Sequence, residues 1–128
     1  MAEHYTPVSP VRDPDNAPFY DALREGKLLI KTCDACNEAF FYPRSLCPFC
    51  LSESSWIEAS GQGNIYSYTE VTTRSGTYVL ALVTLSEGPT MMSNILTDTP
   101  ATIAIGQRVR AEFVETTGSE MLPVFVPG

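Results

Sequence analysis

Apolar and polar residues alternate along the C-terminal half of the chain, and this pattern predicts a series of β-strands. In segment 108–113, Val109, Ala111 and Phe113 alternate with charged residues, as expected for a strand with one buried face. Four other runs are rich in β-branched, aromatic and aliphatic residues: 64–73, 77–85, 91–97 and 121–126. Five strands joined by short turns can protect their edges by closing into a barrel or by forming a sandwich. At this length we expect a five-stranded OB-type barrel.

The first and last β-rich runs define the bounds of the predicted barrel region. Run 56–59, Trp-Ile-Glu-Ala, opens the β-rich part of the chain. The last run is predicted to place Leu122, Val124 and Val126 together on one face of its strand. We therefore assign residues 54–128 to the OB fold.

The N-terminal part has another pattern. Residues 1–15 combine prolines with charged and small residues and show no periodicity, which predicts an extended arm. A short helix over 18–25 follows; Asp15 or Asn16 can cap it, and Gly26 ends it. Its aromatic face consists of Phe19, Tyr20 and Leu23. A helix this short is marginal alone in water, so this face either packs on the rest of the protein or binds a partner or a thin ligand chain.

Two further strands are predicted after the helix, over 27–32 and 39–42. They would form a ribbon whose turn carries the first two cysteines. Residues 16–53 are therefore assigned to a unit made of the helix and this ribbon. The overall expectation is a mainly β protein with one short N-terminal helix.

All four cysteines lie in two Cys-x-x-Cys motifs: Cys33 with Cys36, and Cys47 with Cys50. Each motif lets two sulfurs of one tight loop reach the same ion, and Zn²⁺ takes four thiolates in a tetrahedron. Four protein ligands leave no position for water, so a closed, structural zinc site is predicted. The alternative is a pair of disulfides, which would need an oxidising compartment. A thioredoxin-like redox role would need a βαβ context that the sequence does not show.

Composition and charge narrow the possible partners and location. The chain has 128 residues, 44% of them hydrophobic, and a formal net charge of -7. A zinc ion with four thiolates adds about -2, and such a surface repels nucleic acid. No apolar run approaches the length of a membrane helix, and residues 1–10 lack the apolar core of a signal peptide. We therefore expect a cytoplasmic protein that binds neither nucleic acid nor membrane.

The sequence contains no recognisable catalytic set. Its only histidine, His4, lies in the predicted arm, and all four thiols are assigned to the metal. A nucleophile with a neighbouring base is therefore not available for hydrolysis or acyl transfer. Phosphate-binding, dinucleotide-binding and zinc-protease motifs are also absent. These observations favour a binding or assembly module that is not catalytic alone.

Five motifs in a fixed order resemble one protein family. They are Phe19-Tyr20-x-x-Leu23-x-x-Gly26-Lys27-Leu28, Cys33-x-x-Cys36, Tyr42-Pro43-Arg44-x-x-Cys47-Pro48-x-Cys50, Gly61-x-Gly63-x-Ile65-Tyr66-Ser67-Tyr68-Thr69 and Ile105-Gly106-x-Arg108-Val109. Together they resemble the small acyl-CoA-associated proteins that carry an N-terminal helix, a rubredoxin-like zinc ribbon and a C-terminal OB fold. The resemblance covers roughly residues 16–127.

The resemblance implies a function in a complex. Proteins of that family are companions of thiolase-like enzymes, including ketothiolases, steroid side-chain aldolases and related acyltransferases, and the thiolase-like partner carries the catalytic residues. The small subunit would be a non-catalytic part of a hetero-oligomer. It would support the channel that holds the pantetheine arm of coenzyme A or of an acyl-CoA.

Pantetheine is a narrow amphipathic chain that ends in phosphates, so it needs a groove with an apolar floor and a positive mouth. The candidates for the floor are Phe19, Tyr20 and Phe41. The candidates for the mouth are Lys27, Lys31 and Arg44. The simpler account of these cations is that they are solvated partners of nearby acidic residues.

Two other functions remain as alternatives. OB barrels bind single-stranded nucleic acid through stacked aromatic residues, here Tyr66, Tyr68 and Tyr78. The negative charge opposes this function, and salt-dependent oligonucleotide binding would support it. A zinc-dependent enzyme would need an open metal position, which the absorption of a cobalt-substituted sample would detect.

Overall fold

A computed structural model describes residues 10, 11, 13, 14, 16–74, 76–97, 99–118 and 120–128. Most of the predicted extended arm over residues 1–15 lies outside these residues. The described part contains one α-helix, eight β-strands and one short 3₁₀ turn over Pro100–Thr102. The predicted mainly β fold with a single N-terminal helix is confirmed.

The helix α1 spans Ala17–Arg24, close to the predicted limits. Asn16 precedes it, but its side chain does not cap the helix. Instead, the Asn16 Oδ1 accepts a hydrogen bond from the Asp13 amide, and Asp13 Oδ1 accepts one from the Asn16 amide, both at 2.8 Å. At the other end, Gly26 adopts a φ of 79°, which glycine tolerates at a helix stop.

Three antiparallel strands form the ribbon sheet: β1 over Leu28–Cys33, β2 over Ala39–Phe40 and β3 over Ser54–Ala59. Their order is β2-β1-β3. The sequence pattern grouped β3 with the C-terminal half, but β3 pairs with β1 along its whole length, from Leu28 opposite Ala59 to Cys33 opposite Ser54. The ribbon sheet therefore extends past residue 53, and the proposed limit between the two units stays a prediction.

The five remaining strands close into a barrel, as predicted. They are β4 over Gln62–Thr73, β5 over Gly76–Leu85, β6 over Thr90–Ile95, β7 over Arg108–Glu115 and β8 over Met121–Pro127. Their order around the barrel is β4-β5-β6-β8-β7. Neighbouring strands are antiparallel except β6 and β8, which meet in parallel where Ile95 pairs with Phe125. Two of the pairings that close the barrel are short: β4 pairs with β7 at Gln62–Asn64 only, and β6 pairs with β8 at the single position already named.

Strand β8 has buried residues on both of its faces. Phe125 is fully buried in the main core. Val124 and Val126 are also buried, but they pack with Leu96 in a separate cluster. Because successive residues of a strand point to opposite faces, β8 is covered on both sides. A strand buried on both faces reads as a continuous apolar run, and its inner face cannot be chosen from alternation alone.

Helix α1 joins the ribbon to the barrel. Its residues Phe19, Tyr20 and Leu23 belong to the same buried cluster as the barrel residues. At the end of the helix, the Arg24 guanidinium lies 3.4 Å from the buried carboxylate of Glu120, next to β8. The aromatic face of the helix therefore packs largely inside the protein, and the ribbon and barrel share one core.

Candidate metal centre and adjoining groove

The four cysteine sulfurs converge at one point of the ribbon, as predicted. All four Sγ atoms lie within 4.8 Å of one another. The Sγ atoms of Cys33 and Cys50 are 3.4 Å apart, and those of Cys36 and Cys47 are 3.8 Å apart. A tetrahedron with Zn–S bonds of about 2.3 Å requires sulfurs about 3.8 Å apart. None of the four is in a disulfide, so the donor set and its dimensions fit a closed, structural zinc site.

The backbone of each Cys-x-x-Cys motif folds around its first sulfur. The amides of Ala35 and Cys36 each donate to the Cys33 Sγ at 3.3 Å. In the second motif, the Phe49 amide donates to the Cys47 Sγ at 3.4 Å. Hydrogen bonds to sulfur favour the thiolate, which is the form that binds metal. These loops, here called the first and second knuckle, are therefore arranged for ligation by their backbones.

The two knuckles repeat one backbone feature with different residues. Immediately after the second cysteine of each motif, the chain turns left-handed, at Asn37 with a φ of 62° and at Leu51 with a φ of 64°. Asparagine tolerates this conformation, whereas leucine does so at a cost. The knuckles are thus equivalent in backbone and different in surface chemistry.

The pKa values of the two exposed sulfurs, Cys36 and Cys50, are shifted in opposite directions. The hydroxyl and amide of Ser52 donate to the Cys50 sulfur and, with the nearby Cys33, lower the pKa of Cys50 to about 6. At Cys36, a backbone hydrogen bond at Glu38 lowers the pKa, but the neighbouring sulfurs outweigh it and raise the pKa to about 12. Four thiolates this close together repel one another, and a divalent cation at their centre offsets that repulsion.

A groove lies beside the ribbon, between helix α1 and strands β6 and β8. This cavity of about 340 Å³ brings together the three predicted floor residues Phe19, Tyr20 and Phe41. The rings of Phe19 and Phe41 stack with centroids 5.4 Å apart. Sequence reasoning missed the opposite wall, which is formed by Met91, Met92, Leu122 and Pro123. The pairing of β6 with β8 that creates this wall leaves no local signal in the sequence.

Two phenols stand at the ribbon side of the groove. Burial and a hydrogen bond with Tyr42 raise the pKa of Tyr20 well above its usual range. The Tyr42 hydroxyl also accepts a hydrogen bond from the Asn16 Nδ2 at 2.7 Å. Tyr20 therefore stays neutral at physiological pH, and the groove has uncharged polar groups along one side of an apolar floor.

The structure separates the three cations that were predicted at the mouth. Arg44 lines a neighbouring cavity of about 470 Å³, which shares Phe41, Tyr42 and Thr90 with the groove. Glu38 and Glu87 line that cavity too. Lys27 lines neither cavity.

Lys31 has a structural position. Its side chain is buried, and its Nζ lies 4.5 Å from the centre of the Trp56 ring. This cation–π contact joins β1 to β3 inside the ribbon sheet. A buried ammonium in this position is not available to a ligand at the mouth of the groove.

The three tyrosines considered for nucleic-acid stacking are all exposed on the barrel: Tyr66, Tyr68 and Tyr78. The Tyr68 hydroxyl donates to the carbonyl of Ile103 at 3.1 Å. The net charge of -7 still opposes a phosphate backbone, and no further observation favours this alternative. Within the described residues, no helix is long and apolar enough to cross a membrane.

Both halves of the chain match models of known domains. Residues 21–55 match the model described as the rubredoxin-like zinc ribbon domain of ChsH2, and residues 56–114 match the model of the ChsH2 C-terminal OB-fold domain. A solved structure described as an Ltp2-ChsH2(DUF35) aldolase is also similar, with a TM-score of 0.82 and 34% identity. That likeness covers 93% of this chain and 98% of the other.

Two curated relatives are similar to this chain over only part of their own length. A probable enoyl-CoA hydratase alpha subunit of Thermomonospora curvata is 34% identical over 124 residues, which are 92% of this chain and 39% of the relative. A DUF35 domain-containing scaffold protein of Methanocaldococcus jannaschii is 30% identical over 89 residues, which are 63% of each chain. The chain therefore spans less than two thirds of the length of both.

Proposed function

Because the chain belongs to the ChsH2 (DUF35) family of zinc-ribbon and OB-fold proteins, we propose that it is a non-catalytic subunit of an acyl-CoA enzyme complex. Its partner would be a catalytic subunit of the aldolase, hydratase or thiolase-like class. In this complex, the chain supports assembly and contributes one wall of the channel for the acyl-CoA. Thiolase-like acyltransferases are included because the sequence motifs resemble their companions.

One observation carries the proposal: the four-cysteine site has a full set of protein ligands and leaves no open metal position for a reaction. All four thiols of the chain face one another as ligands of a single metal position. Across the described residues there is no histidine to serve as a base, since His4 lies outside them. A partner must therefore supply the nucleophile and the base of any acyl-CoA reaction.

The names of the relatives support a shared assembly. They describe an alpha subunit, a scaffold protein and a structure that joins Ltp2 to ChsH2.

The groove beside α1 is the proposed position of the pantetheine arm. Its floor is aromatic, its opposite wall is apolar, and Tyr20 and Tyr42 offer uncharged polar groups to the amides of a thin chain. Arg44 lines the adjoining cavity. Because Glu38 and Glu87 line the same cavity, the phosphates of the coenzyme need further cations from the partner.

Co-expression tests the assembly. The chain is produced together with the acyl-CoA enzymes encoded beside it, and the purified sample is analysed by size-exclusion chromatography with light scattering. We expect a stable hetero-oligomer whose catalytic activity is lost or strongly reduced when this chain is omitted. A chain that stays alone, and whose presence leaves the activity of every neighbour unchanged, contradicts the proposal.

The groove is tested in the assembled complex with a matched pair of variants. Met92→Asp places a charge on the apolar wall at an exposed position, and we expect the KM for the acyl-CoA to rise about tenfold. Ile105→Asp places the same charge on an exposed residue outside the groove and should leave KM unchanged. Arg44→Ala should raise KM by a smaller factor than Met92→Asp, and Lys27→Ala should not change it.

A further inference from the structure

The second knuckle exposes three large apolar side chains within residues 46–51. Leu46 is 49% exposed, Phe49 is 66% exposed and Leu51 is 72% exposed. We call these three residues the second-knuckle face. Exposed apolar side chains gathered on one loop are typical of interaction sites.

The first knuckle shows that the fold does not require this surface. Its backbone has the same Cys-x-x-Cys turn and the same left-handed residue after the motif. Where the second knuckle has Phe49 and Leu51, the first has Ala35 and Asn37. Metal binding by a Cys-x-x-Cys turn therefore does not require the apolar side chains of the second knuckle.

The backbone conformation of Leu51 has an energetic cost. A leucine in the left-handed region is less stable than an asparagine or a glycine there. Its side chain is exposed, so burial within this chain does not offset the cost. A conformational cost at an exposed residue is typical of a functional position.

The backbone under this face is held in place on several sides. The Cys47 amide donates to the Ser52 carbonyl at 2.8 Å, and the Leu51 amide donates to the Cys47 carbonyl at 2.9 Å. The metal ligands Cys47 and Cys50 lie between the apolar side chains. A surface that is already ordered loses little conformational entropy on binding.

The surroundings of the face are acidic. Glu53 pairs across the chain with Leu46 through an isolated β-bridge. Glu38 and Glu87 line the same cavity as Phe49, with Arg44 as its one basic residue. An occupant that is apolar at its centre and basic at its border therefore complements this surface.

We propose that the second-knuckle face inserts into an apolar pocket, bordered by Lys or Arg side chains, on the catalytic acyl-CoA subunit. This inference rests on the proposed function and names the surface through which the assembly forms. The face is too small to be the whole interface, so it acts as the central group of contacts within a larger one.

The test measures the affinity between the full chain and the catalytic subunit that co-purifies with it, by calorimetry or biosensor at two salt concentrations. In Phe49→Ser with Leu51→Asn, we expect the Kd to rise at least 30-fold. The charge reversal Glu53→Lys should weaken binding less and should reduce its salt dependence.

A double variant of the barrel surface serves as the matched control. Tyr66→Ser with Ile105→Ser removes side chains that are 64% and 70% exposed, and it should leave the Kd within twofold of the wild type. Zinc content and thermal unfolding are measured for every variant, so loss of the fold is distinguished from loss of the interface.

Each outcome of this test decides the inference. If the wild type binds and the second-knuckle variant binds equally well, the inference is wrong while the proposed function stands. If the wild type binds no neighbouring acyl-CoA enzyme, both are wrong. If the wild type alone forms a dimer that Phe49→Ser dissociates, the face joins two copies of this chain and the inference is overturned.

Discussion

The ribbon and the barrel are stabilised in different ways, although they share a core through α1. The ribbon has a small cluster of its own, made of Cys33, Phe40 and Cys47, and two of these three residues are metal ligands. The barrel has five strands closed around a continuous apolar interior. The folding of the ribbon therefore depends on the metal, whereas the folding of the barrel depends on apolar packing. Loss of the metal and loss of a core side chain should affect the two regions differently.

Loss of the metal should have the largest effect. Structural zinc contributes on the order of 10 kcal/mol to the folding of small zinc modules, and the cluster around Phe40 is too small to replace it. We expect Cys47→Ala, or a strong chelator, to abolish hydrogen-exchange protection in β1 and β2 while the amides of β5 and β6 stay protected. Uniform loss of protection across both regions would show that the barrel depends on the ribbon.

Damage to the barrel core should come next. Phe125 is fully buried, and its replacement by alanine should lower the free energy of unfolding by about 3–5 kcal/mol. Denaturant unfolding measures this loss, and Tyr66→Ala, at an exposed position of the same barrel, should change stability by less than about 0.5 kcal/mol. The zinc content of the purified Phe125→Ala protein should stay equal to that of the wild type, which would separate the two regions.

The contact between Lys31 and Trp56 tests the ribbon alone. Lys31→Met keeps the apolar stem but removes the ammonium from the Trp56 ring, so we expect a loss of about 0.5–2 kcal/mol in the free energy of unfolding. The KM of the complex for the acyl-CoA should stay unchanged, because Lys31 is buried in the ribbon sheet. A rise in KM without a loss of stability would show that Lys31 contacts the ligand at the mouth of the groove, as the sequence predicts.

The ribbon and the barrel also differ in which of their features the sequence predicts. The Cys-x-x-Cys spacing alone predicts that Cys33 and Cys47 are zinc ligands, because the coordination geometry of zinc restricts which residues can bind it. The five barrel strands follow from local patterns of β-rich runs. By contrast, the burial of Phe125 and of Lys31 depends on partners that are distant in sequence. Trp56 lies 25 positions from Lys31, and nothing in either local pattern indicates the contact.

The groove was predictable only in part, for a related reason. The sequence predicts Phe19, Tyr20 and Phe41 as an apolar floor, and the structure brings these three residues together in one cavity. The wall opposite them arises where β6 meets β8, at the one parallel pairing of the described barrel. A pairing between strands separated by a 3₁₀ turn and β7 cannot be read from turn signals.

The smallest expected effect comes from exchanging the left-handed residues of the two knuckles. Leu51→Asn should stabilise the isolated chain by about 0.5–1 kcal/mol, because asparagine adopts a φ near +60° more readily than leucine. Asn37→Leu should destabilise it by a similar amount, and both are measured by denaturant unfolding of the zinc-loaded protein. If Leu51→Asn is destabilising, Leu51 makes stabilising contacts within the chain, and its conformational cost no longer supports a binding role. If Leu51→Asn stabilises the chain and weakens the complex, then stability and assembly make opposite demands on this one residue.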